Sequence, residues 1–505
     1  MSLLGIDIGT TGCKAAVFSE DGTCIVQAYC EYAILHPAEG RAELDSAKVW
    51  GKTRAVISEA VAGAKRDPVT ALCISAMGEA ATPVSADRRI LGNCILSSDT
   101  RGGEYVDRLA EQYGQERFYK INPNIFGVNY TLPKLLWLRE NAPALYEQAD
   151  RFLLWDGLAG FMLGCDPFAS TSNANRTMLF DLQRQDWSDE ILGAAGIDRA
   201  RLPRCLPGGA IAGTVSDSIA GEIGLPRGVK VVVGGHDQCC NALGAGLSQP
   251  GRAVYGIGTF ECITPVYDCV PAAAAMLKQG LNIEHHVLGG MYVSFLYNQG
   301  GSLVRWFRDT FAKEQRDEAG IYDRLAAEMP AEPTRLFVLP YFEMTGSPRF
   351  VSDASGVIAG LKTHTTRGDI LKAIMESVTY YFVESVEALR EIGIDTSEFV
   401  ATGGGAKSDP WLQIKADILG VPIVRPRVTE CGLLGTAILA GTATGVFNTP
   451  DEGVECFVRR ERVFEPDRTR HLLYRERQRK YRELFPLMSD YLAAIHHIET
   501  GQAHL

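Results

Sequence analysis

At 505 residues the chain exceeds what one hydrophobic core can organise, so about two to three domains with sizeable interiors are expected. Its 46% apolar and 22% charged residues are ordinary for a globular protein, and 61 acidic against 50 basic side chains give a net charge of -11. That balance argues against nucleic acid or an anionic membrane as the main partner and points to small molecules. Thirteen cysteines, Cys239 and Cys240 adjacent among them, fall mostly inside apolar runs with no CxxC pair and no histidine at zinc-ligand spacing, a pattern of buried thiols in a reducing compartment. The chain enters a strand within three residues, and no run of about 18 apolar residues occurs, so a soluble, cytoplasmic protein without a secretion signal is expected.

The first elements are three strands, Leu3 to Ile8, Cys13 to Phe18 and Cys24 to Tyr32, joined by GTTG and by Glu20-Asp21-Gly22 into an antiparallel meander. A helical pattern from Ser46 to Ala64 follows, with Ser46 as its N-cap, then a buried strand Ala71 to Ser75, then helix-rich sequence to about Ile197. Beyond a Pro/Gly-rich stretch, Leu202 to Gly213, the strand Lys230 to Val233 runs into GGHDQCCNALGAG, and a domain boundary is expected near 245 to 252. The second half shows helices around Gly301 to Ala312 and Asp369 to Ile392, a strand Phe399 to Thr402, the loop GGGAKSDP and a helix Trp411 to Leu419. The basic run Tyr474 to Leu484 alternates its charges and repeats Tyr474, Tyr481 and Leu484 at helical spacing, so it reads as a solvated helix with one packed edge. No low-complexity linker separates the halves, which favours a cleft between packed lobes.

The string Ile-Gly-Thr-x-x-Cys occurs twice, in GIDIGTTGCKAAVF (Gly5 to Phe18) and in VYGIGTFECITPV (Val254 to Val266). Each copy reads as strand, tight glycine turn with a hydroxyl at its tip, and returning strand, and two such turns facing each other suit a triphosphate gripped from both sides. Asp7 lies inside an apolar strand, where a lone carboxylate is costly unless it serves a metal, phosphate chemistry or a hydrogen bond to the turn. Asp237 follows a strand and two glycines at a helix start, a position for an N-cap or for a functional base. GGGAKS suits close backbone approach to a nucleotide while matching neither the P-loop nor the dinucleotide fingerprint.

Taken in order, these pieces resemble the FGGY family of carbohydrate kinases over nearly the whole chain. GIDIGTTGCKAAVF is similar to the family's first phosphate loop, ILHPAEGRAELD (Ile34 to Asp45) to its Pro-Gly-Glu-Asp segment and SSDTR (Ser97 to Arg101) to its Asp-x-Arg motif. GGHDQCCNALGAG resembles the catalytic loop, YGIGTF the second phosphate loop, QGGSLVRWF (Gln299 to Phe307) a segment lining the nucleotide cleft, and Gly403 to Ile423 with TECGLLGTAILAG (Thr429 to Gly441) the C-terminal signature. The resemblance implies an α/β, two-lobed actin-like ATPase (ribonuclease H-like) fold, with duplicated domains at 1–246 and 247–505 and a cleft between them. It makes Asp237 the base that takes the proton of the attacking hydroxyl and Asp7 the holder of Mg²⁺. Gly9, Thr10, Thr11, Lys14, Gly258 and Thr259 would hold the phosphates of ATP, and Gly301, Gly404, Gly405, Ala406 and Asp409 would line the adenine and ribose pocket.

The substrate signature departs from the family's forms. Xylulose kinases carry Gln-Met-His-Gly and glycerol kinases Gln-Arg-Glu-Thr; here the segment reads Ala76-Met77-Gly78-Glu79, and Ser97 stands where a Trp is usual. PYFEMTGSPRF (Pro340 to Phe350) also lacks the common Gly-Glu-Arg triplet. Met77, Glu79, Asp99, Trp155, Asp237 and Gln238 are expected around the substrate hydroxyls, Glu79 accepting from two of them with Arg101 as its alternative partner. The implied reaction is ATP- and Mg²⁺-dependent phosphorylation of a free sugar, a ketopentose such as xylulose. The rivals are an alditol kinase of the glycerol or erythritol type, a non-kinase ATPase of the same fold and a regulatory protein that has lost catalysis. A homodimer is compatible with the chain.

Overall fold

The computed structural model describes residues 2–499 apart from Lys65, Met344, Ser352 and Thr429, with side chains described to residue 496. Met344 of PYFEMTGSPRF and Thr429 of the C-terminal signature thus lie outside the described residues. The first sheet grows from the opening meander, β1 (Ser2–Ile8), β2 (Gly12–Ser19) and β3 (Cys24–Glu31), whose neighbours are antiparallel. β4 (Val69–Ala76) joins β1 in parallel, β6 (Lys230–His236) joins β4 in parallel, and β5 (Ile211–Thr214) closes that edge. The order is β5-β6-β4-β1-β2-β3. β1 and β4 are apolar runs because both sheet faces are covered: α1 (Ser46–Gly63) packs on β2 and β3, and α7 (Cys431–Thr444) packs on β1 and β4.

The second sheet repeats the plan. β7 (Arg252–Ile257) turns into antiparallel β8 (Phe260–Tyr267), while β12 (Glu398–Thr402) lies parallel to β7 and β13 (Ile423–Pro426) parallel to β12. β9 (Glu284–His285), β10 (Tyr292–Val293) and β11 (Leu296–Gln299) extend the β8 side, and β14 (Arg460–Phe464) closes the other edge. The hairpin with a parallel strand beside its first member therefore occurs twice, in the same order as the repeated Ile-Gly-Thr string. Helices of this half include α4 (Gly301–Phe311), α5 (Arg367–Glu391) and α6 (Asp409–Leu419), and α8 (Arg468–Glu499) buries Tyr474 and Tyr481 beneath a charged outer face. Among the described residues no helix is long and apolar enough to cross a membrane.

Three local details differ from the sequence reading. Asp45, not Ser46, caps α1, accepting from the Lys48 N–H at 3.0 Å. Ser46 faces inward instead, where its hydroxyl accepts from the Cys94 N–H at 3.0 Å and meets the Thr82 hydroxyl. β6 runs on through Gly234 and Gly235 to His236, with a register shift against β4. A Cβ at Gly234 would stand 2.2 Å from the Ile74 carbonyl oxygen, so the glycine is what lets the strand continue there. Finally, the stretch before Ile197 mixes its helices with short strand pairs such as Ala81–Val84 with Arg151–Leu154.

Candidate active site

Each repeated string forms a closed turn. The Gly9 N–H donates to the Gly12 carbonyl at 3.0 Å and leaves Thr10 and Thr11 exposed at the tip; the Gly258 N–H donates to the Phe260 carbonyl at 3.0 Å and leaves Thr259 exposed. The second turn is braced by α4, whose first residue Gly301 donates to the Gly258 carbonyl at 2.9 Å. A Cβ at Gly301 would sit 2.3 Å from that oxygen, so the helix can approach the loop this closely only with glycine. Arg305 Nη2 donates to Thr259 Oγ1 at 3.1 Å. In the first turn Lys14 Nζ donates to Glu430 Oε2 at 2.5 Å, tying the hairpin to the residue before α7.

The two acids stand at the ends of β1 and β6, with β4 between them. Asp7, near the C-terminal end of β1, accepts from Ser75 Oγ at 2.8 Å, and its burial holds the carboxyl above the usual range against that bond and the charge of Lys14. Asp237 opens α3 (Asp237–Gly244) directly after β6. Burial first, and then the charge of Asp7, push it up to about 7, although a third of the side chain, 32%, still meets solvent. His236 Nε2 lies 3.3 Å from Asp237 Oδ1, and its imidazole is held neutral by burial and by the charge of Arg176. Gln238 follows on the first turn of α3, half-buried.

Glu79 sits at φ 60° just past β4, with its carboxylate turned into a buried ion pair. Its partner is Arg176, which closes the short helix α2 (Thr171–Asn175) and pairs through Nε and Nη2 with Glu79 and through Nη1 with Glu284 at 2.6 Å. Arg101, the alternative partner expected for Glu79, pairs instead with Asp99 and Glu43. Met77 is buried, its N–H donating to the Ile8 carbonyl at 2.9 Å. Asp99 and Trp155 belong to a neighbouring cluster. Asp99 is fully buried, accepts from the Ala42 N–H at 2.7 Å and from Arg101 at 2.6 Å, and keeps its carboxyl below the usual range through those donors in spite of burial. Trp155 Nε1 donates to Cys94 Sγ at 3.3 Å, and Cys94 lies in the strand paired with Glu43–Leu44.

On the other lobe, Gly404, Gly405 and Ala406 form a short 3₁₀ turn against the second hairpin, where a Cβ at Gly405 would meet Ile257 Cγ2 at 2.2 Å. Asp409 starts α6, with its carboxylate held by Arg425 Nη1 at 2.7 Å and by Arg462. The sequence reading named neither Arg176, His236, Glu284 nor Glu430. Arg176 had one available signal, a lone cation in the polar run Ser172-Asn173-Ala174-Asn175 whose members prove buried.

Two lobes of repeated topology, each carrying a glycine hairpin, with paired carboxylates at the strand ends, define the actin-like class of phosphotransferases. Residues 2–244 match the N-terminal domain and residues 272–444 the C-terminal domain of the FGGY family of carbohydrate kinases, and the chain belongs to that family. It is 28% identical over 495 residues to a xylulose kinase of Bacillus subtilis, covering 97% of this chain and 96% of that protein. It is 32% identical over 493 residues to a glycerol kinase of Bordetella parapertussis, with 92% of each chain covered. The crystal structure of xylulose kinase from Rhodospirillum rubrum superimposes with a TM-score of 0.90 at 26% identity, covering 97% of this chain and 100% of that one. The protein is accordingly a sugar or alditol kinase, a phosphotransferase with an alcohol group as acceptor and ATP as donor.

Proposed function

We propose that the enzyme phosphorylates a free sugar, a ketopentose such as xylulose, with Asp237 taking the proton of the attacking hydroxyl. The observation that carries this reading is Asp237 at the end of β6, one strand removed from Asp7 at the end of β1, where burial and then the charge of Asp7 leave it poised near 7 and a carboxylate is a competent base at neutral pH. Phosphoryl transfer asks the protein chiefly for in-line positioning and for dipoles around developing charge. Gly9, Thr10, Thr11 and Lys14 on the first hairpin and Gly258 and Thr259 on the second supply these, Lys14 after exchanging Glu430 for phosphate. Gly301, Gly404, Gly405, Ala406 and Asp409 border the adenine and ribose site. Met77 and Gln238 border the sugar, Glu79 stands beside them paired to Arg176, and Asp99 and Trp155 support that wall. In the proposed division, 1–246 carries base and sugar and 247–505 the adenine site.

Asp7 suits Mg²⁺. One of its oxygens is taken by Ser75, and a half-buried carboxylate with a raised pKa is what a divalent cation relieves. When bound, the ion neutralises charge on the phosphates. Glycerol or another short alditol is the second reading, supported by Glu79, an acid one place beyond the Glu of the glycerol kinase signature, and by the Bordetella relative. ADP release measured against a panel of ketoses, aldoses and alditols tests both. Turnover highest with xylulose or a related ketopentose is expected, preference for glycerol or erythritol moves the assignment to the second reading, and sugar-independent ATP hydrolysis alone would overturn both.

A further inference from the structure

Gly78 is not needed by its own backbone, for its φ lies outside the left-handed region that favours glycine. It is needed by a neighbour. A Cβ at residue 78 would stand 3.0 Å from Cδ and Nε of Arg176 and 3.2 Å from Cδ2 of His236, so the space a side chain would fill is taken by a guanidinium from α2. That guanidinium is clamped: Glu79 engages Nε and Nη2, Glu284 engages Nη1, and the rings of Tyr130 and Phe295 lie 5.7 and 5.3 Å from its central carbon. Three of its five N–H groups thus face carboxylates and two remain. Beside it, Glu284 Oε2 and His236 Nδ1 are buried without a hydrogen-bond partner in the structure. A buried carboxylate oxygen and a buried ring nitrogen without partners are costly unless a ligand satisfies them.

We propose that Arg176, standing in the space that Gly78 vacates, is the residue that binds the substrate hydroxyls beside Asp237, with Glu79 and Glu284 holding it rather than reading the sugar themselves. This rests on the reading that the sugar lies against Asp237. Two carboxylates to one guanidinium give the wall an acidic balance, which suits a neutral polyhydroxy substrate and disfavours a sugar acid. The pocket departs from the family's substrate signature by exchanging the source of its polar group, from residue 78 to residue 176.

The test is a set of variants assayed with the best substrate of the wild-type panel. Arg176→Lys keeps the charge and loses the planar fork; it should raise KM for the sugar about tenfold or more while KM for ATP and the ATP-induced melting shift stay within twofold. Gly78→Ala, which fits the backbone, should raise the sugar KM several-fold by displacing the guanidinium. Gly78→Arg together with Arg176→Ala returns a guanidinium to the same space from the other side and should turn over sugar at least tenfold faster than Arg176→Ala alone. Melting curves and ATP affinity report whether each variant folds, and Arg176→Lys and Gly78→Ala decide the matter where Arg176→Ala does not fold. A sugar KM within twofold of wild type in Arg176→Lys overturns the inference while leaving the kinase reading intact. A wild type that neither turns over nor is stabilised by any neutral sugar or alditol overturns both.

Discussion

Replacing Asp237 by Asn should separate catalysis from stability in opposite directions. The folded protein holds this carboxyl at about 7 against an ordinary 3.8, so the neutral form is favoured by folding. Such a group stabilises fully below its unfolded pKa and loses that contribution as pH rises from about 4 to 7, so above pH 7 the folded enzyme carries a charge the unfolded chain would hold at less cost. At about 1.36 kcal/mol per unit the ceiling is about 4 kcal/mol. With a third of the side chain in water, solvent screening brings it to about 1–2 kcal/mol. Asp237→Asn fills the same space without the charge, and should raise Tm at pH 8 by about 1–2 °C, a gain that shrinks as pH is lowered toward 4. At the same time kcat should fall by about 10² to 10⁴ with ATP binding nearly intact, because the amide accepts no proton. The wild-type kcat/KM should climb with pH and level off near 7, a step the variant lacks. Turnover of the variant within a few-fold of wild type, or a flat wild-type profile from pH 5.5 to 8, would refute the assignment of Asp237 as base.

Three other outcomes follow from the packing. A Cβ at Gly244 would lie 1.7 Å from the Cys431 carbonyl oxygen, so Gly244→Ala must separate α3 from α7 and should cost about 2–3 kcal/mol or more in urea unfolding, with an unchanged midpoint as the contrary result. Lys415 and Glu261 form a fully buried pair at 2.7 Å, so Lys415→Met should cost about 3–5 kcal/mol and Glu261→Met added to it should recover most of the loss; a cost under about 1 kcal/mol would show the charge is not stranded. The stretch 245–252 carries Gly246 and Gly251 at φ 92° and 85°, and sugar with a non-hydrolysable ATP analogue should compact the molecule by hinge motion there, visible as a smaller radius of gyration in solution scattering. Identical curves with and without ligands would count against closure.

Much of the fold was legible because its determinants are local. The three-strand meander, the parallel strands and the helices read from Gly301 and Trp411 announce themselves through apolar runs, glycine turns and helical spacing, and the duplicated string marks the duplicated topology. Ser46 misled because a hydroxyl next to an equally good capping Asp45 looks the same in sequence, and only tertiary contacts to Thr82 and Cys94 choose between them. The site divides in the same way. Asp7 and Asp237 show as acids at the ends of apolar strands. Arg176 and Glu284 lie far from the signature at 76–79 in sequence, and they reach it only through the packing of α2 and β9, which no local pattern encodes. Glycine at 78 reads as a missing side chain until the guanidinium that fills its place is seen.

The helix α7 belongs to the second half of the chain and lies on the first sheet, where Leu433 and Ile438 share one apolar core with Leu3, Phe18 and Val232 as well as with Val254 and Val266 from the second. The two halves are therefore not separable parts. During synthesis the first sheet leaves the ribosome with one face covered only in part, by α3, and the rest stays open until residue 444 has been made, a long exposure of strands prone to mispairing. The first 246 residues expressed alone should be insoluble, and adding the second half as a separate chain should rescue them, since the missing wall of their core is supplied in trans.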